Sequence, residues 1–173
     1  MPIFYRSPVA ADVEALAALG RETFCDTFAH LYAAEDLTAF LEQAYSVPSV
    51  QADFDNPRLY YQVAEDNGQL VGYCKIGDGV TLDYDPQGRR VVELKQLYLR
   101  ADYFGQAVAG RLMDWALEKA AALNADDMLL SVFSENPRAQ RFYQKYGFAH
   151  VADTIFMVGN HEDHEFLYLK KLK

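Results

Sequence analysis

Two stretches of this sequence carry groups that could act together on one ligand. Residues 105–110 follow an apolar strand and a short break and begin a long helix, and free N–H groups at the start of a helix bind anions. Farther along the chain, Asn136, Ala139 and Tyr143 are spaced three and four apart, which puts them on one face of a helix. The spacing predicts an anion-binding turn close to an amide and a phenol.

The elements that must position these residues alternate between strands and helices. In chain order, the hydrophobic pattern predicts a strand, two helices, three strands, a helix, a strand, a helix and two strands. The first helix follows a cap at Asp12, the main helix covers residues 105–122, and a polar loop over residues 158–164 joins the closing strands. This order is typical of a mixed α/β sheet in one domain, residues 1–173.

Composition restricts the classes of protein to which the chain could belong. Of its 173 residues, 51% are hydrophobic, which excludes a disordered chain, and no apolar run is long enough to span a membrane. The formal net charge of −9 argues against a nucleic-acid partner and is compatible with cationic ligands. The first residues lack the pattern of a signal peptide, and Cys25 and Cys74 lack metal-ligand spacing, so we expect a cytoplasmic protein with both thiols reduced and buried.

The segment around Tyr143 resembles a family motif. Residues 136–148 read Asn-x-x-Ala-x-x-Phe-Tyr-x-Lys-x-Gly-Phe, which is similar to the C-terminal motif of the GCN5-related N-acetyltransferases, the superfamily that moves an acetyl group from acetyl-CoA to an amine. Leu97, Tyr98 and Leu99 fall where the central strand of that family ends. The resemblance implies a mixed, mostly antiparallel α/β (α+β) sheet of about six to seven strands flanked by helices.

The resemblance also implies a mechanism. Acetyl-CoA would be the co-substrate, without a metal. Tyr143 would be the general acid that protonates the departing CoA thiolate. Glu93, on the central strand and on one face with Lys95 and Leu97, would be the base for the acceptor amine. The structural alternatives are a helix cap for Asn136, a core aromatic for Tyr143 and a surface charge for Glu93.

The cofactor contacts implied by the resemblance lie on the central strand, the turn after it and the motif helix. We expect a backbone N–H at Tyr98 or Leu99 to bind the thioester carbonyl. The residues expected to contact the cofactor are Leu97, Tyr98, Leu99, Phe104, Gly105, Gln106, Ala107, Val108, Ala109, Gly110, Asn136 and Tyr143.

The turn before the main helix departs from the family pattern. The pyrophosphate loop of the family reads Gln/Arg-x-x-Gly-x-Gly/Ala, and this chain has Phe104, Ala107 and Ala109 at the three marked positions. Phe104 removes a long polar side chain, whereas Ala107 adds one methyl group and should cost no strain if its dihedral angles are helical. The backbone donors are retained, so the sequence predicts that coenzyme A binds without help from a polar side chain at position 104.

The N-terminal residues narrow the expected acceptor. The pattern Glu-Thr-Phe-x-Asp-Thr-Phe over residues 22–28 resembles the PaiA-like spermidine/spermine acetyltransferases. Asp26, Glu35 and Asp36 could then face a polyamine, although they could equally decorate exposed helix ends. A peptide or protein amine is the alternative acceptor, a CoA-binding regulatory module with little turnover is the alternative function, and a homodimer stays open.

The C-terminal histidines could suggest a metal site. The candidates are His150, His161 and His164, and Glu162 and Asp163 separate the last two in the predicted polar loop. The loop lacks a spacing that would bring ligands together, so we interpret it as a solvated hairpin connection.

Overall fold

Strands of alternating apolar residues form a seven-stranded sheet in this protein. The computed structural model describes residues 2–173. The strands are β1 Phe4–Arg6, β2 Leu59–Asp66, β3 Gln69–Asp78, β4 Val91–Leu99, β5 Asp127–Phe133, β6 Ala149–Val158 and β7 His161–Lys171. Their order is β1-β2-β3-β4-β5-β7-β6, and every neighbouring pair is antiparallel except β4 and β5. The mixed, mostly antiparallel sheet predicted from the sequence is confirmed.

Helices cover both faces of this sheet. Within residues 2–173 they are α1 Val13–Phe28, α2 Ala34–Tyr45, α3 Val47–Asp55, α4 Val108–Ala122 and α5 Pro137–Lys145. One face packs against α1, α2 and α3, where Leu16 of α1 and Val63 of β2 belong to one buried hydrophobic cluster. The other face packs against α4 and α5, where Leu112 is fully buried and contributes about 2 kcal/mol. None of these helices combines the length and apolar character needed to cross a lipid bilayer.

Two predicted boundaries are wrong. α4 begins at Val108 rather than at residue 105, because Gly105 and Ala107 take φ values of 77° and 64° that a right-handed helix cannot contain. Residues 161–164 belong to β7 rather than to a loop, because only Gly159 and Asn160 lie between β6 and β7.

The central strands β4 and β5 separate partway along their length. They pair only where residues 91–93 meet residues 127–129. Directly beyond this paired end, a β-bulge leaves Lys95 as an extra residue between Leu94 and Gln96, which both pair with β3. Because a bulged strand bends, β4 changes direction where its pairing with β5 stops. The remainder of β4 forms one side of an opening in the sheet.

Candidate active site

A cleft of about 240 Å³ lies where β4 and β5 part. Residues 94–99 of β4 line one side, residues of β5, β7 and α5 line the others, and side chains of α1 and α2 close one end. A second cavity of about 240 Å³ extends toward the start of α4. Because Leu97, Leu99 and Tyr143 line both cavities, the two cavities are adjacent, and together they are called the passage between the separated strands.

The free half of β4 directs backbone donors into this passage. The Arg100 N–H donates to the Val71 carbonyl of β3. Because backbone groups alternate along a strand, the N–H groups of Leu97 and Leu99 point away from β3, toward the side where β5 no longer pairs. The Tyr98 N–H points toward β3. Of the two donors proposed from the sequence, only Leu99 faces the cleft, and Leu97 joins it.

The turn before α4 is strained at Ala107. A left-handed backbone costs a residue with a Cβ atom about 1–2 kcal/mol, and Ala107 has φ 64° and ψ 4° immediately before the first helical residue. The expectation that Ala107 costs no strain is therefore wrong, since Ala107 precedes the helix instead of forming part of it. The Gln106 side chain holds this turn by donating to the Asp102 carbonyl at 2.6 Å.

The start of α4 still offers what an anion needs. The first N–H groups of a 15-residue helix have no partners within the helix. Gly105 and Ala109 line the second cavity, whereas the Val108 side chain is fully buried in the core. The Gly110 carbonyl accepts a hydrogen bond from the Tyr146 hydroxyl, which ties α4 to α5.

Phe104 and Arg138 meet at the junction of the two cavities, and both line each cavity. The guanidinium carbon of Arg138 lies 3.8 Å from the centre of the Phe104 ring. A guanidinium stacked on a ring keeps its charge and directs its N–H groups outward from its edge. Arg138 thus brings a positive charge to the position where Phe104 replaces a polar side chain.

The first two turns of α5 carry the amide and the phenol. Asn136 caps the helix, since its side-chain oxygen accepts from the Ala139 N–H at 3.2 Å. Tyr143 lies two turns later, on the wall that both cavities share. Burial raises the pKa of Tyr143, and the nearby Cys74 and Tyr98 add to the rise. The phenol therefore stays protonated at neutral pH, as a proton donor must.

Glu93 lies outside the cleft, which corrects its predicted position. It is only 1% exposed, and its carboxylate accepts hydrogen bonds from the N–H and hydroxyl of Thr81, the N–H of Leu82 and the ammonium of Lys95. Burial alone would raise the pKa of Glu93, but these hydrogen bonds outweigh burial and lower it. The bulge puts Leu97 on the opposite face of β4. The position of Glu93 does not support a role as the base.

Asp163 of β7 lies in the cleft and is held from two sides. It is 4% exposed. Its carboxylate accepts a hydrogen bond from the Tyr32 hydroxyl at 2.5 Å and lies 3.2 Å from Nε2 of His161. A carboxylate with such partners is fixed in place and can attract a cation that enters the cleft.

Glu165 lies two residues farther along β7 and therefore on the same face of the strand. It is opposite Phe133 of β5 and lines the cleft. Burial raises the pKa of Glu165 to about 7, a hydrogen bond with Ser131 opposes the rise, and the Asp163 charge adds to it. Such a carboxyl group changes protonation near neutral pH, where a proton acceptor is most useful.

Aromatic side chains surround these two carboxylates. They provide apolar walls for alkyl chains and ring faces for cations. Besides Phe104 and Tyr143, the aromatic residues that line the cleft are Phe24, Phe28, Tyr32, Phe40, Tyr45, Tyr98, Phe133 and Phe156.

The acidic residues predicted to meet the acceptor do not line the cleft. Asp26 and Glu35 are exposed on α1 and α2. Asp36 accepts a hydrogen bond from the Asn160 N–H at 2.9 Å and so fixes the turn between β6 and β7. Because the apolar faces of α1 and α2 point inward, their acidic positions point outward. The structure therefore does not place Asp26, Glu35 and Asp36 where they were predicted to meet the acceptor.

The signal that could have identified Asp163 and Glu165 is the two-residue period of the last strand. Asp163, Glu165 and Leu167 alternate along one face, and Leu167 is fully buried. Acidic residues on the inward face of a strand indicate a ligand site. No group of three or more His, Cys, Asp or Glu residues within residues 2–173 is placed to hold a metal ion.

Comparison with known sequences connects this site to one family. The sequence model of the Acetyltransferase (GNAT) family matches residues 22–148. An uncharacterized N-acetyltransferase of Mycobacterium tuberculosis is 31% identical over 161 residues, which cover 93% of this chain and 98% of the relative. An uncharacterized N-acetyltransferase of Lactobacillus delbrueckii subsp. lactis is 27% identical over 163 residues, which cover 93% of this chain and 92% of the relative.

Comparison with solved structures finds the same fold. The PaiA N-acetyltransferase from Thermoplasma acidophilum, solved in complex with coenzyme A, superposes with a TM-score of 0.79 at 22% identity. The superposition covers 99% of both chains.

Proposed function

Since this chain belongs to the Acetyltransferase (GNAT) family and is an acetyl-CoA-dependent N-acetyltransferase, we propose that it acetylates a small primary amine, with a polyamine such as spermidine or spermine as the favoured acceptor. The observation that carries the proposal is the pair of carboxylates, Asp163 and Glu165, inside an aromatic cleft. Likeness to the PaiA structure and the net charge of −9 agree with it.

The passage between β4 and β5 fits acetyl-CoA on its α4 and α5 side. When bound, acetyl-CoA supplies the acetyl thioester and the thiol leaving group. The N–H groups of Leu97 and Leu99 are suited to bind the thioester carbonyl and the amides of the cofactor. The start of α4 and the guanidinium of Arg138 are suited to its phosphates. Tyr143, between the two cavities, would hold the proton that the sulfur takes up.

The opposite end of the passage fits a cationic acceptor. A polyamine carries several ammonium groups, of which one must lose its proton to react while the others stay charged. The remaining charges need anionic partners, and Asp163 lies there, held by Tyr32 and His161. The alkyl segments between the amines can pack on the aromatic walls.

Steady-state kinetics on several amines tests this acceptor. We expect kcat/KM to be at least about tenfold higher for spermidine and spermine than for butylamine, because a second ammonium group on Asp163 adds a charge-assisted contact. The advantage should shrink as salt rises, since exposed parts of the contact are screened. A peptide with a free N-terminal amine completes the series.

Matched variants locate the acidic partner. Asp163→Asn should raise KM for spermidine far more than KM for butylamine and leave KM for acetyl-CoA unchanged. Asp26→Asn and Glu35→Gln, which neutralise exposed carboxylates outside the cleft, should leave all three constants unchanged. Turnover of butylamine or of the peptide as efficient as that of spermidine would contradict the polyamine proposal.

A further inference from the structure

Glu165 differs from Asp163, the other carboxylate that lines the cleft, and from Glu93 on the adjacent part of β4. Glu93 is enclosed by four hydrogen bonds outside the cleft, and Asp163 is held by Tyr32 and His161. Glu165 forms no ion pair with a residue of the described chain, 2–173. Its carboxylate is half-buried and lines the cleft. It is therefore the cleft carboxylate that is free to take a proton.

Glu165 and Tyr143 lie on opposite faces of the sheet, which suits a reaction with a base on one side and an acid on the other. Tyr143 packs with the α4 and α5 face of the sheet. Glu165 belongs to the other face, with Asp163 and the aromatic residues of α1 and α2. Tyr98 of β4 also lines the cleft and packs with the clusters on the α1 and α2 side. Acid and base candidates thus flank the free half of β4 from opposite sides.

We propose that Glu165 is the general base of the reaction and removes a proton from the acceptor ammonium group. The resulting neutral amine then attacks the thioester. This inference rests on amine acetylation but not on the identity of the amine. The ammonium nitrogen gives one proton to the Glu165 carboxylate, which later releases it to solvent. The neutral nitrogen forms the new C–N bond, the C–S bond breaks, and the sulfur takes a proton from Tyr143. The nitrogen loses its second proton, which restores Tyr143, so the products are an amide and a thiol.

The surroundings of Glu165 favour this exchange near neutral pH. Burial raises its pKa to about 7, and Asp163 on the same strand adds to the rise. Each unit by which a carboxyl pKa is raised makes the carboxylate a tenfold stronger base. The other titratable or charged side chains that line the cleft are Tyr32, Tyr45, Lys95, Tyr98, Arg138, Tyr143 and Asp163.

The pH dependence of kcat/KM tests the proposal. The wild-type enzyme should lose activity as pH falls through about 7, in addition to the decline caused by protonation of the free amine. Glu165→Gln should lower kcat/KM about 100-fold or more at pH 7, the usual scale for loss of a general base. The deficit should shrink to within about tenfold at pH 10, where a substantial fraction of the amine is neutral without help. The added decline near pH 7 should disappear in the variant.

Controls separate this result from misfolding and from the choice of acceptor. Glu162→Gln neutralises an exposed carboxylate on the outer face of the same strand and should keep the wild-type profile. KM for acetyl-CoA should be unchanged in both variants. A Glu165→Gln enzyme that keeps the decline near pH 7, or that changes only KM for the amine, would overturn the proposal. The amine ranking is measured on the wild-type enzyme, so a wrong acceptor proposal would leave this test intact.

Discussion

The two ends of the β4 and β5 pair surround a glutamate in opposite ways. At the paired end, Glu93 is enclosed and accepts hydrogen bonds from Thr81, Leu82 and Lys95. At the open end, Glu165 faces a cleft without a cationic partner in the described chain. The pKa of Glu93 is accordingly lowered, and that of Glu165 is raised to about 7.

This difference distinguishes a charged group that stabilises the fold from one that is available to a ligand. A buried charge whose hydrogen bonds are all made contributes to stability, whereas a charge removed from water without enough partners costs free energy and is available to a ligand. Position in the sheet decides between the two cases, because the carboxyl group is the same in both. Substitutions at the paired end should therefore change stability, and substitutions at the open end should change activity.

The largest effect is expected at the open end. Tyr143→Phe should lower kcat about 10- to 1,000-fold and leave affinity for acetyl-CoA nearly unchanged, because the hydroxyl acts on the departing sulfur. Urea denaturation should show little change in stability. Tyr146→Phe, at the residue that directly follows α5 and outside both cavities, is the matched control and should keep kcat. Wild-type kcat in Tyr143→Phe would make Tyr143 a packing residue.

The next largest effect is the difference in protein stability between substitutions of Glu93 and Glu165. Glu93→Gln should lower the free energy of unfolding by about 2–3 kcal/mol, since a donor amide replaces an acceptor oxygen among buried donors. Because the folded pKa of Glu93 is lowered, this loss should be complete above about pH 5 and shrink as pH falls below the ordinary carboxyl pKa of about 4.3.

Glu165→Gln should raise the free energy of unfolding instead of lowering it, and this gain should grow as pH rises. Its raised pKa means that the wild-type protein loses stability as pH rises through about 7. The variant should gain about 1–3 kcal/mol at pH 8 and much less at pH 5. Urea denaturation of both variants at the two pH values provides the measurement. Losses of equal size at both pH values would remove the contrast between the two ends.

The smallest effect concerns the turn that leads from β4 to α4. Ala107→Gly should raise the free energy of unfolding by about 1 kcal/mol, because glycine adopts the φ of 64° without strain. Ala109→Gly, within the helix two residues later, should lower it by a similar amount. Thermal denaturation of the two variants distinguishes the positions. A decrease in both variants would mean that the methyl group of Ala107 stabilises the turn by more than its strain costs.

Short-range geometry made part of the site predictable. Asn136 and Tyr143 belong to one short helix, so their spacing determined their relation, and both line the cleft. The position of Glu93 depended on the bulge at Lys95, which exists only in the pairing of β4 with β3. An alternation read from β4 alone could not include it.

The remaining errors have the same origin in distant contacts. Asp163 resembled a loop residue, and Glu165 the start of a strand without a site, because their apolar surroundings come from α1 and α2, more than a hundred positions away in sequence. The left-handed backbone of Ala107 depended on where α4 begins, which the hydrophobic period locates only to within a few residues.

The bulge at Lys95 makes the length of β4 as important as its composition. Substituting Lys95 would remove its ion pair with Glu93 but keep the extra residue. Deleting Lys95 would give β4 an uninterrupted alternation. We expect β4 then to continue its pairing with β5, which would close the cleft. Deleting this one residue would therefore differ in kind from substituting it, because the deletion acts on the opening itself.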